Sequence, residues 1–266
     1  IAAGLKHMEY TSFVSPKAIP QLADAQTVTE AVIKKYPGLD LFALVPNLRG
    51  AQNAYELGLR KVCYVVSLSK SHNKANINRT HEQSLEAYQE IRAAYPDLEV
   101  VVDLATTFGC PFEGKYNDSQ AVVNFLKDYA DAGMTTCCLC DTIGIADPAQ
   151  VKSVIGELKA SYPNLQLQVH FHDTRGLGMV NTMAAIESGV TEVQSALGGL
   201  GGCPFAPGAS GNLSTEDMVW MLNEMGFKTG VSFSKVLEAA KFQAIHIPGN
   251  YSGHHIHIEQ ESPCKF

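Results

Sequence analysis

Seven short apolar or β-branched runs alternate with longer amphipathic stretches along these 266 residues; glycine stops close several of the amphipathic stretches, and polar residues gather where the runs end. These three observations predict a single α/β domain of the (β/α)8 barrel class. The runs are Lys6–Tyr10, Asp40–Val45, Lys61–Leu68, Glu99–Thr106, Thr135–Asp141, Leu165–His172 and Glu192–Leu197. Helical patterns lie between and after them at Gln52–Leu59, Glu82–Tyr95, Asp118–Ala132, Pro148–Ser161, Gly178–Ser188 and Thr215–Met225. Gly58, Gly133 and Gly189 each stand between a helical pattern and the next run, as helix C-termini favour. Glu9, Asn47, Ser67, Thr106, Asp141 and His172 stand at or near the C-terminal ends of their runs, where barrel enzymes carry their chemistry. A doubly wound open sheet is the competing architecture, but no G-x-G-x-x-G turn follows an early run.

Seven such units are one short of a barrel. The opening Ile1-Ala-Ala-Gly4-Leu5 reads as the last turn of a helix stopped by Gly4. The expectation is therefore a TIM barrel lacking its first strand and most of its first helix, one domain over residues 1–266 with an irregular extension from about residue 247. The first and last runs would then be sheet edges, open to pairing with other chains.

Hydrophobic residues make up 45% of the chain and charged residues 18%, with a formal net charge of −7. An acidic globule of this kind does not suit nucleic acid or an anionic membrane surface. No apolar run approaches the ~18 residues of a spanning helix, and no secretory signal opens the chain. Seven cysteines, an odd number in strand-like settings, argue against a disulfide framework and for a cytoplasmic location.

The richest stretch is Gly198-Gly-Leu-Gly-Gly-Cys-Pro-Phe-Ala-Pro-Gly-Ala-Ser-Gly-Asn212, which places Cys203 between glycine-rich hinges. Upstream, His170 and His172 are two apart on a strand and so share a face, with Gln166 and Gln168 below them. They suit a divalent cation, or else two hydrogen-bonded histidines in a polar barrel core. Asn212 offers a hard, neutral oxygen that suits Mg²⁺ or Mn²⁺ as a third ligand; alternatively it belongs to the start of the next helix, where Ser214 or Thr215 can cap. Cys203 is a tunable thiol able to protonate a carbanion, or an inert buried cysteine. Asp141 and Glu9 are acids at the expected barrel mouth, able to hold a substrate hydroxyl or move its proton, or else solvated loop acids. Cys137, Cys138 and Cys140 lack a second cysteine pair at zinc-ribbon spacing and read as core packing. His254-His255-Ile-His257 reads as a solvated segment.

The loop from Gly199 to Asn212 resembles the signature loop of the 3-hydroxy-3-methylglutaryl-CoA (HMG-CoA) lyases, members of the DRE-TIM metallolyases. The resemblance runs from Ile1 to about Gly230 and includes Thr11-Ser-Phe-Val-Ser-Pro-Lys17, Pro46-Asn-Leu-Arg-Gly50, Asn76-Ile-Asn78, Gly109-Cys-Pro-Phe-Glu-Gly114, Asp141-Thr-Ile-Gly144 and His170-Phe-His-Asp-Thr174. It implies a metal-dependent retro-Claisen cleavage of an acyl-CoA thioester to acetyl-CoA and a 3-oxo acid, acetoacetate for the namesake substrate, as in leucine degradation and ketone-body formation. It implies His170, His172 and Asn212 as metal ligands and Cys203 as proton donor to the enolate. Asp141 would orient or deprotonate the hydroxyl, with His170 as partner. Glu9 would support the site, Ser12 would contact substrate, and the chain would form a homodimer. A Claisen-condensing acyltransferase of the same superfamily and an inactive CoA-binding fragment are the alternatives.

Two departures accompany the resemblance. The family's strand-1 motif, which supplies an arginine and an aspartate ligand, has no counterpart in residues 1–266, so these residues alone are expected to catalyse poorly. Where relatives typically show Arg-Gly-Tyr-Val-Ser this chain reads Val101-Val-Asp-Leu-Ala105, and where they show Ser-Leu-Gly-Asp it reads Cys138-Leu-Cys-Asp141. The expected substrate is therefore HMG-CoA or a related 3-hydroxy-acyl-CoA.

Overall fold

A computed structural model describes residues 1–202 and 211–258. Seven parallel strands form one sheet in chain order: β1 (His7–Ser12), β2 (Asp40–Leu44), β3 (Lys61–Ser67), β4 (Glu99–Ala105), β7 (Thr136–Asp141), β8 (Gln166–Phe171) and β9 (Glu192–Gln194). β5 (Gly109–Cys110) and β6 (Gly114–Lys115) make a small antiparallel ribbon beyond β4. Helices α1 (Ala25–Lys35), α2 (Leu48–Glu56), α3 (Lys70–Ile77), α4 (His81–Ala94), α5 (Ser119–Asp131), α6 (Pro148–Ser161) and α7 (Gly178–Glu187) occupy the crossovers, and α8 (Thr215–Glu224) and α9 (Phe233–His246) follow. This is the barrel-type order of parallel strands and crossover helices, with β1 and β9 at the sheet edges.

All seven expected strands form, within a few residues of their expected ends. The differences lie in helices. α1, α3 and α9 were not among the expected elements, because their apolar faces are narrow: α3 buries only His72 and Asn73, and α9 only Val236 and Ala240. Local chemistry fixes the helix starts. Thr80 and Gln83 form a reciprocal capping box on α4, Asp147 caps α6 with Pro148 at the first turn, and Ser214 caps α8 through the Asp217 amide.

The sheet has two different faces. Alternate residues such as Val62, Tyr64, Val100, Val102, Leu104, Cys137, Leu139, Leu167, Val169 and Phe171 pack outward against the helices in the main core. The opposite set forms a small inner cluster of Phe42, Cys63, Val101 and Cys138, with Leu44 and Cys140 packed against it. Cys137 therefore faces the helices while Cys138 and Cys140 face inward, as strand alternation dictates. β1 breaks the alternation. Its register with β2 slips between Glu9 and Thr11, leaving Tyr10 as an extra residue. Glu9 pairs with Phe42 and Ser12 with Leu44, so the bulge turns both to the inner face, although they are an odd number of residues apart.

The C-terminal segment differs from the expectation of a solvated tail. The Gly253 amide donates to Gly198 O at 2.9 Å, and Ser252 Oγ donates to Gly199 O at 3.3 Å. Asp217, at the start of α8, accepts from the His254 and His255 amides at 2.6 and 3.0 Å and contacts both imidazoles. The His255 ring packs against Trp220 and Phe233. Burial opposes ionisation of Asp217, but these bonds outweigh it and hold its carboxyl below the usual range. A depressed carboxyl stabilises the fold above the unfolded pKa and loses that contribution as pH falls through the folded value. Asp217→Ala should cost about 1–3 kcal/mol, the range for stranding buried donors. Limited proteolysis near residues 247–258, faster in the variant and in wild type at acid pH, is the expected readout.

Candidate active site at the mouth of the sheet

The backbone brings Asn212 to the histidines. Beyond the end of β8, His172 and Asn212 form an antiparallel bridge, with Leu213 N donating to Phe171 O at 3.2 Å and Asp173 N to Gly211 O at 3.1 Å. Since Ser214 caps α8, the Asn212 side chain is free for other work. Its Nδ2 donates to Leu200 O at 2.9 Å, which points Oδ1 at His170 Nε2, 3.0 Å away. The His170 and His172 ring centroids are 5.2 Å apart.

The hydrogen-bond polarity is informative. Gln194 Nε2 donates to Gln168 Oε1 at 3.3 Å, which leaves Gln194 Oε1 to accept from His170 Nδ1 at 3.1 Å. Burial depresses the pKa of His170 despite these contacts, so the neutral ring carries its hydrogen on Nδ1 and a lone pair on Nε2. In that tautomer Nε2 and Asn212 Oδ1 both offer lone pairs that a shared cation can take; without one, a ring hydrogen on Nε2 can bond Oδ1. Adjacent ligands of an octahedral ion at about 2.1 Å lie about 3 Å apart, which matches the observed separation. His172 is buried, its Nδ1 has no hydrogen-bond partner among the described residues, and burial, more than the neighbouring His170 imidazole, pushes its pKa down to about 4. Two neutral imidazoles and an amide oxygen thus fit a divalent cation.

Glycine is required where the segment carrying Cys203 departs and returns. Gly201 has φ +138° and Gly211 φ +97°; a Cβ on the first would strike the Asn212 amide, and one on the second would strike the Gly201 carbonyl. Gly201→Ala should therefore displace the Asn212 side chain and weaken Mn²⁺ binding about 10–100-fold, the usual cost of disturbing a ligand's support. Calorimetric titration with Mn²⁺ reads this directly, and unchanged affinity would detach Gly201 from the site. Cys203 itself lies outside the described residues.

Glu9 and Ser12 lie on the inner face, as do His170 and His172. Ser12 is buried, with Oγ 3.4 Å from Leu44 O. Glu9 keeps an exposed surface although protein surrounds its carboxyl, and burial raises its pKa although a bond to Cys63 opposes this. Asp141 is placed differently. It shares the outward parity of Cys137 and Leu139, and its two oxygens accept from Ile145 N at 2.9 Å and Ala146 N at 3.0 Å. Burial outweighs those bonds and pushes its pKa up to about 6. The carboxyl closes the loop after β7 and does not join the inner-face group. Thr142, next in that loop, accepts from the Thr106 amide at 2.7 Å, and Thr106 holds a left-handed φ of 57°.

One inner-face acid was not among the expected site residues. Asp103, in the middle of β4, lies with Glu9 and Cys63 in a group whose ligand atoms are all within 4.8 Å of one another. The signal was available: an aspartate inside the run Val100-Val-Val-Asp-Leu104 must be buried, and its parity with Val101 turns it inward.

Comparison with known proteins agrees with this arrangement. The HMGL-like family matches residues 2–242. The hydroxymethylglutaryl-CoA lyase YngG of Bacillus subtilis is 43% identical over 241 residues, covering 90% of this chain and 80% of the relative. The human mitochondrial hydroxymethylglutaryl-CoA lyase is 40% identical over 242 residues, covering 90% and 74%. An HMG-CoA lyase from Acinetobacter baumannii, solved in complex with coenzyme A and 3-methylmalate, superposes with a TM-score of 0.90 at 38% identity, covering 98% of this chain and 86% of that one. A chain matched to the family over this length, with two histidines and an asparagine converging at the strand ends, belongs to the HMGL-like family, whose hydroxymethylglutaryl-CoA lyases are carbon–carbon lyases.

Proposed function

We propose that this protein cleaves the C2–C3 bond of an HMG-CoA-like thioester, giving acetyl-CoA and acetoacetate from HMG-CoA itself. The observation that carries the reading is the approach of His170 Nε2 to Asn212 Oδ1, 3.0 Å apart, beside buried His172, whose Nδ1 has no hydrogen-bond partner among the described residues. His170, His172 and Asn212 would hold a divalent ion, Mg²⁺ or Mn²⁺ from the donor set, which would supply Lewis acidity to the substrate.

The chain's own residues do the rest. Gln194 and Leu200 lock the orientation of the His170 ring and the Asn212 amide, so neither reorganises during reaction. Glu9, inner-facing and solvent-open, takes the proton of the substrate hydroxyl. The O–H pair becomes the new C3 carbonyl, the C2–C3 pair moves onto C2 as an enolate, and Cys203 delivers a proton to C2 to complete acetyl-CoA. Ser12 contacts the acyl group at the end of β1. Asp141 acts as a positioning residue: its bonds to the Ile145 and Ala146 amides hold the loop beside His172.

A substrate other than HMG-CoA is favoured by one observation. Val101, Asp103, Cys138 and Cys140 all face inward, and they are among the positions at which the chain departs from the family pattern that the resemblance implies. The ligands of the Acinetobacter baumannii relative suggest the CoA thioester of 3-methylmalate as the second substrate to try.

Product analysis of the purified enzyme with both thioesters, with and without chelator, tests the proposal. Acetoacetate and acetyl-CoA should appear from HMG-CoA, vanish with chelator and return with Mg²⁺ or Mn²⁺. Condensation alone, or indifference to chelation, would reject it. The family resemblance also supports a homodimer, which light scattering tests. No helix among the described residues is long and apolar enough to cross a membrane. The five described cysteines are free thiols, which supports a reducing, cytoplasmic setting that cell fractionation tests.

A further inference from the structure

Asp103 is 8% exposed, and its Oδ1 is buried with no hydrogen-bond partner among the described residues. Leaving such an atom unbonded costs about 1–3 kcal/mol, which makes Asp103 a costly residue for packing alone. The Cys63 thiol lies within hydrogen-bond reach of both Asp103 and Glu9, and all three ligand atoms fall within 4.8 Å of one another. Two carboxyls this close do not both ionise readily. Asp103 is the deeper of the two and burial raises its pKa well above the usual range, while Glu9 is open to solvent. Burial opposes ionisation at both, and more strongly at Asp103, so the neutral form is favoured there over Glu9. The group lies close enough for both carboxyls to act electrostatically on Cys140, the register partner of His170. A metal at the cluster itself is disfavoured, because burial pushes the Cys63 thiol up and both it and Asp103 would have to lose protons.

We propose that the Asp103 carboxyl, backed by Cys63 and Glu9, is the specificity-determining contact of the substrate pocket, donating a hydrogen bond to an oxygen of the acyl group. The inference deepens the lyase reading and rests on it. A neutral carboxylic acid suits an acyl group that carries its own carboxylate or hydroxyl: it donates to an oxygen without adding a negative charge. A site built around such a donor loses preference for its substrate when the donor goes, because the remaining polar groups are left unpaired.

The test compares the kcat/KM ratio for the CoA thioester of 3-methylmalate and HMG-CoA in wild type, Asp103→Asn and Asp103→Leu. Asparagine keeps a donor and an acceptor, so the ratio should stay within about three-fold. Leucine removes both and should change the ratio at least about ten-fold, the equivalent of one hydrogen bond, through KM more than kcat. Coenzyme A affinity, measured by calorimetry, should stay within about two-fold, as expected for a contact confined to the acyl end. Should Asp103→Leu fail to fold, Asp103→Ser, which withdraws the carboxyl, takes its place. An unchanged ratio in a folded leucine or serine variant overturns the inference alone. So does equal loss on both thioesters, or stoichiometric zinc lost in Cys63→Ala but kept in His170→Ala. A wild-type enzyme that cleaves neither thioester overturns the lyase reading, and this inference with it.

Discussion

Asn212→Ala should reduce Mn²⁺ affinity by more than about 100-fold and lower turnover at saturating metal, since removing a ligand exceeds the cost of disturbing its support. The fold should barely notice. The Asn212 side chain contacts His170 and the Leu200 carbonyl, whereas the start of α8 is capped by Ser214. A melting temperature within a few degrees of wild type, together with lost metal binding, separates ligation from packing. Asn212→Asp offers the complementary result: a carboxylate in the same place should retain the ion and bind it more tightly. Equal melting shifts in both variants, with unchanged metal affinity in each, would make the asparagine a structural tie and leave the two histidines without a third partner.

Cys203→Ala should lower kcat by about 10²–10⁴, the range for one general acid, with KM little changed. The described ends of its segment are what place the thiol in the argument. Gly201 and Gly211 meet backbone to backbone beside Asn212, so the residues between them start and finish next to the proposed ligand Asn212. Pre-steady-state analysis sharpens the test, because carbon–carbon cleavage and protonation separate when the acid is missing: release of the 3-oxo acid should outrun formation of acetyl-CoA. Parallel loss of kcat and rise of KM would assign Cys203 to substrate packing.

Much of this architecture can be read from periodicity, and the exceptions share physical causes. Strands such as Lys61–Ser67 and Gln166–Phe171 are legible because burial on one or both faces forces apolar alternation. α3 and α9 bury two residues each, so their pattern is faint. The histidine pair is legible from its two-residue spacing, and Asn212 is legible as an oxygen donor at the end of a glycine-rich loop. What spacing could not supply is the bridge between residues 172 and 212, a tertiary pairing that turns the asparagine toward the imidazoles. Asp141 and Asp103 illustrate parity. Both are acids on parallel strands; one shares a face with Leu139 and is taken up by backbone amides, and the other shares a face with Val101 on the inner side of the sheet. Counting alternation outward from the cysteines would have sorted them.

The extra residue in β1 has a consequence for insertions and deletions. Excising Tyr10 leaves a regular strand in which Glu9 still pairs with Phe42 and Ser12 with Leu44; what disappears is the phenol that anchors β1 to Thr29 of α1. Adding one residue between positions 10 and 12 instead swings Ser12 toward the helical layer and empties its place on the inner face. Length tolerance in this strand is therefore one-sided: one residue fewer keeps Glu9 and Ser12 on the inner face, and one more does not.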